Sequence, residues 1–103
     1  MYKITLSKPD ITDKEIKAVE KVLRTSRLSL GENYINFEKM AARFAGVKYA
    51  VAVNSGTSGL HLIVRALGIG KGDEVITSPF SFISSSNCII YEGAQPVFVD
   101  IDE

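Results

Sequence analysis

Apolar positions along this chain switch between helical and strand periods, and each switch marks an element. A short apolar stretch, Tyr2 to Leu6, comes first. Ile16, Val19 and Leu23 then share one helical face, with Lys14, Lys17 and Lys21 elsewhere, which predicts a helix over about 13–25. Thr12 with Glu15 three residues on supplies its capping box. A loop from Arg27 to Asn33 precedes a second helix over about 34–45. In it Phe37, Met40, Ala41 and Phe44 recur at i, i+3, i+4 and i+7, and Gly46 is the stop. Tyr49-Ala50-Val51-Ala52-Val53 is apolar on both faces and predicts a strand covered on two sides, as in a parallel sheet under helices. After Asn54 to Gly59 a third helix runs to about Leu67, with Leu60, Ile63, Val64 and Leu67 inward. Strands are predicted at Glu74 to Thr77 and Pro96 to Asp100, flanking a helix from about Ser81 to Tyr91 that ends at Gly93.

Strand, helix, strand, helix, strand is the order of consecutive right-handed βαβ units. The expected fold is α/β, with N-terminal helices followed by βαβ units of a parallel sheet. Residues 1–46 would hold the helices and a loop, and residues 47–103 the first part of the α/β region. No helix follows the last strand, and so small a sheet would leave bare edges, so the chain reads as a fragment. Composition narrows the function. Twelve Lys and Arg balance twelve Asp and Glu, which argues against a nucleic-acid binder and against a polybasic hold on membranes. With 46% hydrophobic and 23% charged residues the chain is of globular type. Cys88 is the lone cysteine, so neither an intrachain disulfide nor a cysteine-rich zinc cage is possible. No apolar run approaches a membrane span, and the N-terminus lacks a signal-peptide core, which makes a soluble cytoplasmic chain the expectation.

The chief chemical candidate is Asn54-Ser55-Gly56-Thr57-Ser58-Gly59, placed where a strand's carboxyl end feeds a helix N-terminus. Free amides and the helix dipole converge there and suit an anion, with hydroxyls from Ser55, Thr57 and Ser58. The loop is not a Walker motif, and plain N-capping by Ser or Thr would also account for it. Gly68, Gly70 and Gly72 lie after a helix and before a strand, so they read as a stop and a turn, not as a dinucleotide fingerprint. Phe80 and Phe82 follow the second strand; either can stack on a planar ligand, and core packing is the commoner role. His61, with Arg65 four residues on, reads as a solvated histidine. Cys88 reads as buried and inert. Asp100 and Asp102 lack a third metal ligand and read as turn and capping residues, so no metal site is assigned.

Taken together, these stretches resemble the DegT-type sugar aminotransferases, pyridoxal-phosphate enzymes of fold type I. The likeness rests on Leu28-Ser29-Leu30-Gly31 with Phe37-Glu38, on Tyr49 through Leu60, on Ala66 through Thr77, on Pro79-Phe80-Ser81-Phe82 and on Gly93 through Asp102. It implies that the chain is part of the large domain of such an enzyme. Ser55, Gly56, Thr57 and Ser58 would then form the cradle for the phosphate of pyridoxal 5'-phosphate. Phe82 would stack on its ring, with Phe80 left in the core. Ser29 and Gly31 would border the amino-sugar substrate. The resemblance also implies transfer of an amino group from glutamate to a nucleotide-linked keto-sugar, by a cytoplasmic homodimer.

No catalytic residue is assigned within this segment. None of its lysines matches the family's Schiff-base position, and the acidic partner of the pyridine nitrogen lies further on as well. Turnover by the segment alone is therefore not expected. A binder of a phosphorylated ligand with the same fold is the alternative that the residues themselves leave open.

Overall fold

A computed structural model describes residues 7–102; the apolar stretch from Tyr2 to Leu6 lies outside them. The chain forms α1 (Asp13–Leu23), α2 (Glu32–Ala45), α3 (Gly56–Ala66), β1 (Glu74–Thr77), α4 (Ser84–Tyr91) and β2 (Gln95–Phe98). It divides into two compact units, one running to Val51 and the other beginning at Ala52.

In the first unit the capping box of α1 is complete. The Thr12 side chain accepts from the Lys14 amide, and the Thr12 amide donates to Glu15 Oε2 at 2.7 Å. The box holds the Glu15 carboxyl below its ordinary range, chiefly through the hydrogen bond from the Thr12 side chain and then that from the Thr12 backbone. α2 ends on Gly46 at φ 67°, whose amide bonds the Arg43 carbonyl while Val47 bonds Ala42. Helical period places Ile16, Val19 and Leu23 together on α1, yet all remain exposed, as do Phe37, Met40 and Phe44 on α2. The two helices do not pack on each other among the described residues. Period assigns an apolar face, but burial also needs a surface to meet it.

The second unit contains one βαβ motif. β1 and β2 pair in parallel with Glu74 opposite Gln95 and Thr77 opposite Phe98. α4 is the crossover and packs on both strands and on α3. Val64, Cys88, Ile89 and Ala94 form its buried core, with Ile69 and Val75 against them. Cys88 is buried, as its apolar neighbours predict. The turn after α3 uses Gly68 at φ 72° and Gly72 at φ 98°, conformations that cost an L side chain strain. Ile69 bonds back to the Val64 carbonyl, and the Gly70 amide donates to Asp73 Oδ2 at 2.8 Å, so these glycines are a stop and a turn.

Several boundaries differ from the sequence expectation. Tyr49 to Val53 carries no sheet ladder, although its composition predicts a strand, and Tyr49 and Val51 are exposed. Composition sets a segment's preference, whereas a strand exists only where a neighbour completes its hydrogen bonds. Only one βαβ unit is therefore formed among the described residues, not two. α4 begins at Ser84 rather than near Ser81. Of the α3 residues expected to face inward, only Val64 is buried; Leu60, Ile63 and Leu67 are exposed.

Candidate functional site

α3 and α4 pack against each other in the second unit. His61 and Arg65 of α3 both reach Glu92, just beyond the C-terminus of α4. α4 begins beyond the carboxyl end of β1, where Thr77 opens the loop into it. The segment from Phe80 to Phe82 belongs to that loop, at the end of the strand where parallel sheets bind ligands.

The loop into α3 is held by its own side chains. Ser55 is extended (φ −159°) and is the N-cap, its Oγ accepting from the Ser58 amide at 3.1 Å. Ser58 Oγ donates to Asn54 Oδ1 at 2.7 Å and lies 3.0 Å from Ser55 Oγ, so Ser55 is the donor in that second contact. The Gly59 amide bonds the Ser55 carbonyl. What the cap leaves open are the amides of Gly56 and Thr57, at positions where a helix has no internal acceptor to offer. A Cβ on Gly56 would meet nothing within 4 Å, so the backbone there is open to close approach. The first turn of α3 has no acidic residue, whereas those of α1 and α2 hold Asp13 with Glu15, and Glu32. The positive end of the α3 dipole is thus unanswered from within its own first turn. A phosphate fits this donor set: two amides, the Thr57 hydroxyl and an open glycine.

Phe82 stands immediately before α4 and is 75% exposed, with its carbonyl held by the Ser85 amide and hydroxyl. Its ring is available to a ligand. Phe80, expected in the core, is 88% exposed instead. Its amide bonds Ser78 Oγ, which keeps it in the turn rather than over the sheet.

Ser29 and Gly31 belong to the first unit. Gly31 is the N-cap of α2 without a side-chain cap bond, and it borders a cleft of about 660 Å³ formed with Lys21, Arg27, Leu30 and Tyr34. Ser29 does not line that cleft. Leu30 between them sits at φ 49°, the one non-glycine residue with positive φ among those described. The Tyr34 hydroxyl titrates above its ordinary range because it hydrogen-bonds Glu38.

Two participants escape a sequence reading. Asn54 secures Ser58 across four positions, a spacing visible only once Ser58 is known to sit in the first turn of a helix. His61 is not a solvated residue: its Nε2 bonds Glu92 Oε1, and its ring packs edge-on to Tyr91 at 5.3 Å between centroids. No local signal joins residues 31 positions apart. Asp100 turns back on its own backbone, its Oδ1 accepting from the Ile101 amide at 2.9 Å. No cluster of potential metal ligands occurs among the described residues, and no helix of theirs is long and apolar enough to cross a membrane.

Comparison with known proteins adds the following. The family model of the DegT/DnrJ/EryC1/StrS aminotransferases matches residues 9–103. The chain is 54% identical over 97 residues to the spore coat polysaccharide biosynthesis protein SpsC of Bacillus subtilis, covering 94% of this chain and 25% of that protein. It is 41% identical over 99 residues to the UDP-4-amino-4-deoxy-L-arabinose–oxoglutarate aminotransferase of Shewanella sediminis, covering 96% of this chain and 26% of that one. Among solved structures, the PLP form of Spr1654 from Streptococcus pneumoniae, described as a sugar aminotransferase, superposes with a TM-score of 0.91 at 38% identity. That match covers 98% of this chain and 26% of that one. The chain thus spans about a quarter of the length of the relatives it matches.

Proposed function

The chain belongs to the DegT/DnrJ/EryC1/StrS aminotransferase family, and we propose that it is part of a pyridoxal-phosphate-dependent sugar aminotransferase. The whole enzyme, a cytoplasmic homodimer, passes an amino group from glutamate to a nucleotide-linked keto-sugar. One observation carries the assignment of the cofactor site: α3 presents the open amides of Gly56 and Thr57 from a first turn that holds no acidic residue. Those amides and the Thr57 hydroxyl take the cofactor phosphate. Ser55 and Ser58 act differently from what their hydroxyls alone suggest. They bond each other and Asn54, and so shape the turn that aims the amides. Phe82, exposed just before α4, covers the ring.

When bound, the cofactor supplies the electron sink for amino transfer. This chain contributes binding, orientation and shielding from water. The lysine that carries the cofactor in this family matches none of the lysines here, so the segment supplies no proton-transfer base of that kind. On the first unit, Ser29 and Gly31 border the sugar substrate.

Gly56→Ala in the full-length protein separates the ligand role of this loop from a purely structural one. A Cβ there meets no protein atom within 4 Å, so the fold of the apoprotein should be unaffected. The affinity for pyridoxal 5'-phosphate, followed by its absorbance, should fall clearly. Unchanged affinity would leave α3 merely capped and move the anion elsewhere. The transfer itself is checked by formation of 2-oxoglutarate from glutamate in the presence of a nucleotide-linked keto-sugar.

A further inference from the structure

Ser58 Oγ donates to Asn54 Oδ1 at 2.7 Å, a tie that closes over Ser55, Gly56 and Thr57. The open amides of Gly56 and Thr57 therefore lie within the turn that this bond closes. A serine hydroxyl has one proton, and Ser58 gives its own to Asn54. Ser55 Oγ must then donate to Ser58 Oγ, 3.0 Å away. Asn54 is thus the terminal acceptor of the relay and fixes the direction of both hydroxyls. A second contact lies beside it. A Cβ on Gly59 would stand 3.5 Å from Val53 Cγ2, so the chain entering α3 runs along the flank of its first turn. Contacts between residues ahead of a cap and the first turn fix the angle at which the chain enters a helix.

Gly56 is what such a tie has to restrain. It is the first residue of α3, has no Cβ and stands in open space, so its backbone has the widest choice of conformation in the turn. Adjacent amides meet one phosphate together only when that choice is already made; ordering the loop at the moment of binding costs affinity. Asn54 is exposed and takes no part in the buried cluster of Val64, Cys88, Ile89 and Ala94. Its bond therefore bears on the turn and not on the core. Resting on the cofactor site proposed above, we infer that Asn54 is a positioning residue for it. By holding Ser58, it orders the Gly56 and Thr57 amides for a phosphate before the ligand arrives. The effect passes through Ser58 and falls on the phosphate of the cofactor, not on its pyridine ring.

The test compares pyridoxal 5'-phosphate with pyridoxal, which has the same ring and aldehyde but no phosphate. Each is titrated by absorbance into the full-length apoprotein. Asn54→Ala is expected to weaken binding of pyridoxal 5'-phosphate roughly threefold, the low end of what one hydrogen bond contributes, and to leave pyridoxal binding unchanged. Ser58→Ala should lose at least as much. The double variant should lose no more than Ser58→Ala alone, because both substitutions remove the same tie. Full affinity for pyridoxal 5'-phosphate in Asn54→Ala would overturn the inference, as would additive losses in the double variant. An equal loss for both ligands would also overturn it, since that is the mark of a merely structural residue. Should Asn54→Ala fail to fold, Ser58→Ala carries the same comparison from the other end of the bond. Thr57→Ala run alongside keeps two failures apart. If it weakens binding of pyridoxal 5'-phosphate while the Asn54 and Ser58 variants do not, only the positioning role falls. If none of them weakens it, the cofactor site at α3 falls as well.

Discussion

Ser58 gives its hydroxyl proton to Asn54 Oδ1, 2.7 Å away and one turn earlier in the chain. The consequence is a division of labour within Asn54 to Gly59. Hydroxyls that look like ligands are committed to the cap, and the backbone beside them is what remains open.

Removing the cap should therefore cost stability first. Ser55→Ala in the full-length apoprotein is expected to lose about 1 kcal/mol, and Ser55→Gly only a few tenths. Denaturant titration reads both. Equal losses in the two variants would mean that Ser55 contributes packing rather than a cap.

Thr57 and Ser58 should behave differently, since only Ser58 is tied down. Thr57→Ala removes one donor and is expected to weaken protection by inorganic phosphate by about 0.5–1.5 kcal/mol, or up to roughly tenfold in affinity. Ser58→Ala should have a smaller effect, felt through Asn54, and the double variant should weaken protection by about the sum of the two. Protection unchanged in the double variant would place the anion in another loop.

Acidification should weaken the start of α1. Hydrogen bonds from the Thr12 side chain and then its backbone hold the Glu15 carboxyl below the ordinary glutamate range. A folded-state value below the unfolded one gives stability that is present above the ordinary glutamate range and lost as pH falls through the depressed value. Carbon-detected titration of Glu15 should show that depressed midpoint, and Thr12→Ala should return it to the ordinary range. An unshifted midpoint in the unaltered protein would mean the capping box is not populated in solution.

Leu30 at φ 49° is a side chain in backbone territory that favours glycine. Leu30→Gly should relieve about 1–2 kcal/mol of strain against about 0.5–1 kcal/mol of added chain freedom, for a modest net gain. A loss of stability on thermal denaturation would show that the Leu30 side chain earns its strained backbone through contacts.

Local rules read much of this fold directly. Glu74 to Thr77 forms the strand its pattern predicts, and the capping box at Thr12 and the reversals at Gly46, Gly68 and Gly93 are each set by a few neighbouring residues. What local rules miss is set at a distance. Tyr49 to Val53 has strand composition yet joins no sheet ladder, and Phe80 has core composition without a cover. His61 lies on a polar face, yet its partner sits in another helix turn far along the chain. The site divides in the same way. The run Ser55-Gly56-Thr57-Ser58 marks the place, but which of its groups are free follows only from the cap geometry.

The segment Tyr49 to Val53, which joins no sheet ladder, has a further consequence for handling this chain on its own. It is uncharged, contains no proline, favours strand geometry and exposes the side chains of Tyr49 and Val51. Those are the properties of a nucleus for intermolecular sheet growth. Lys48, whose ammonium lies 5.0 Å from the centre of the Tyr49 ring, stands beside it as a gatekeeper charge. Solutions of the isolated chain should thus turn fibrillar with rising concentration, and faster once that lysine is neutralised by acetylation.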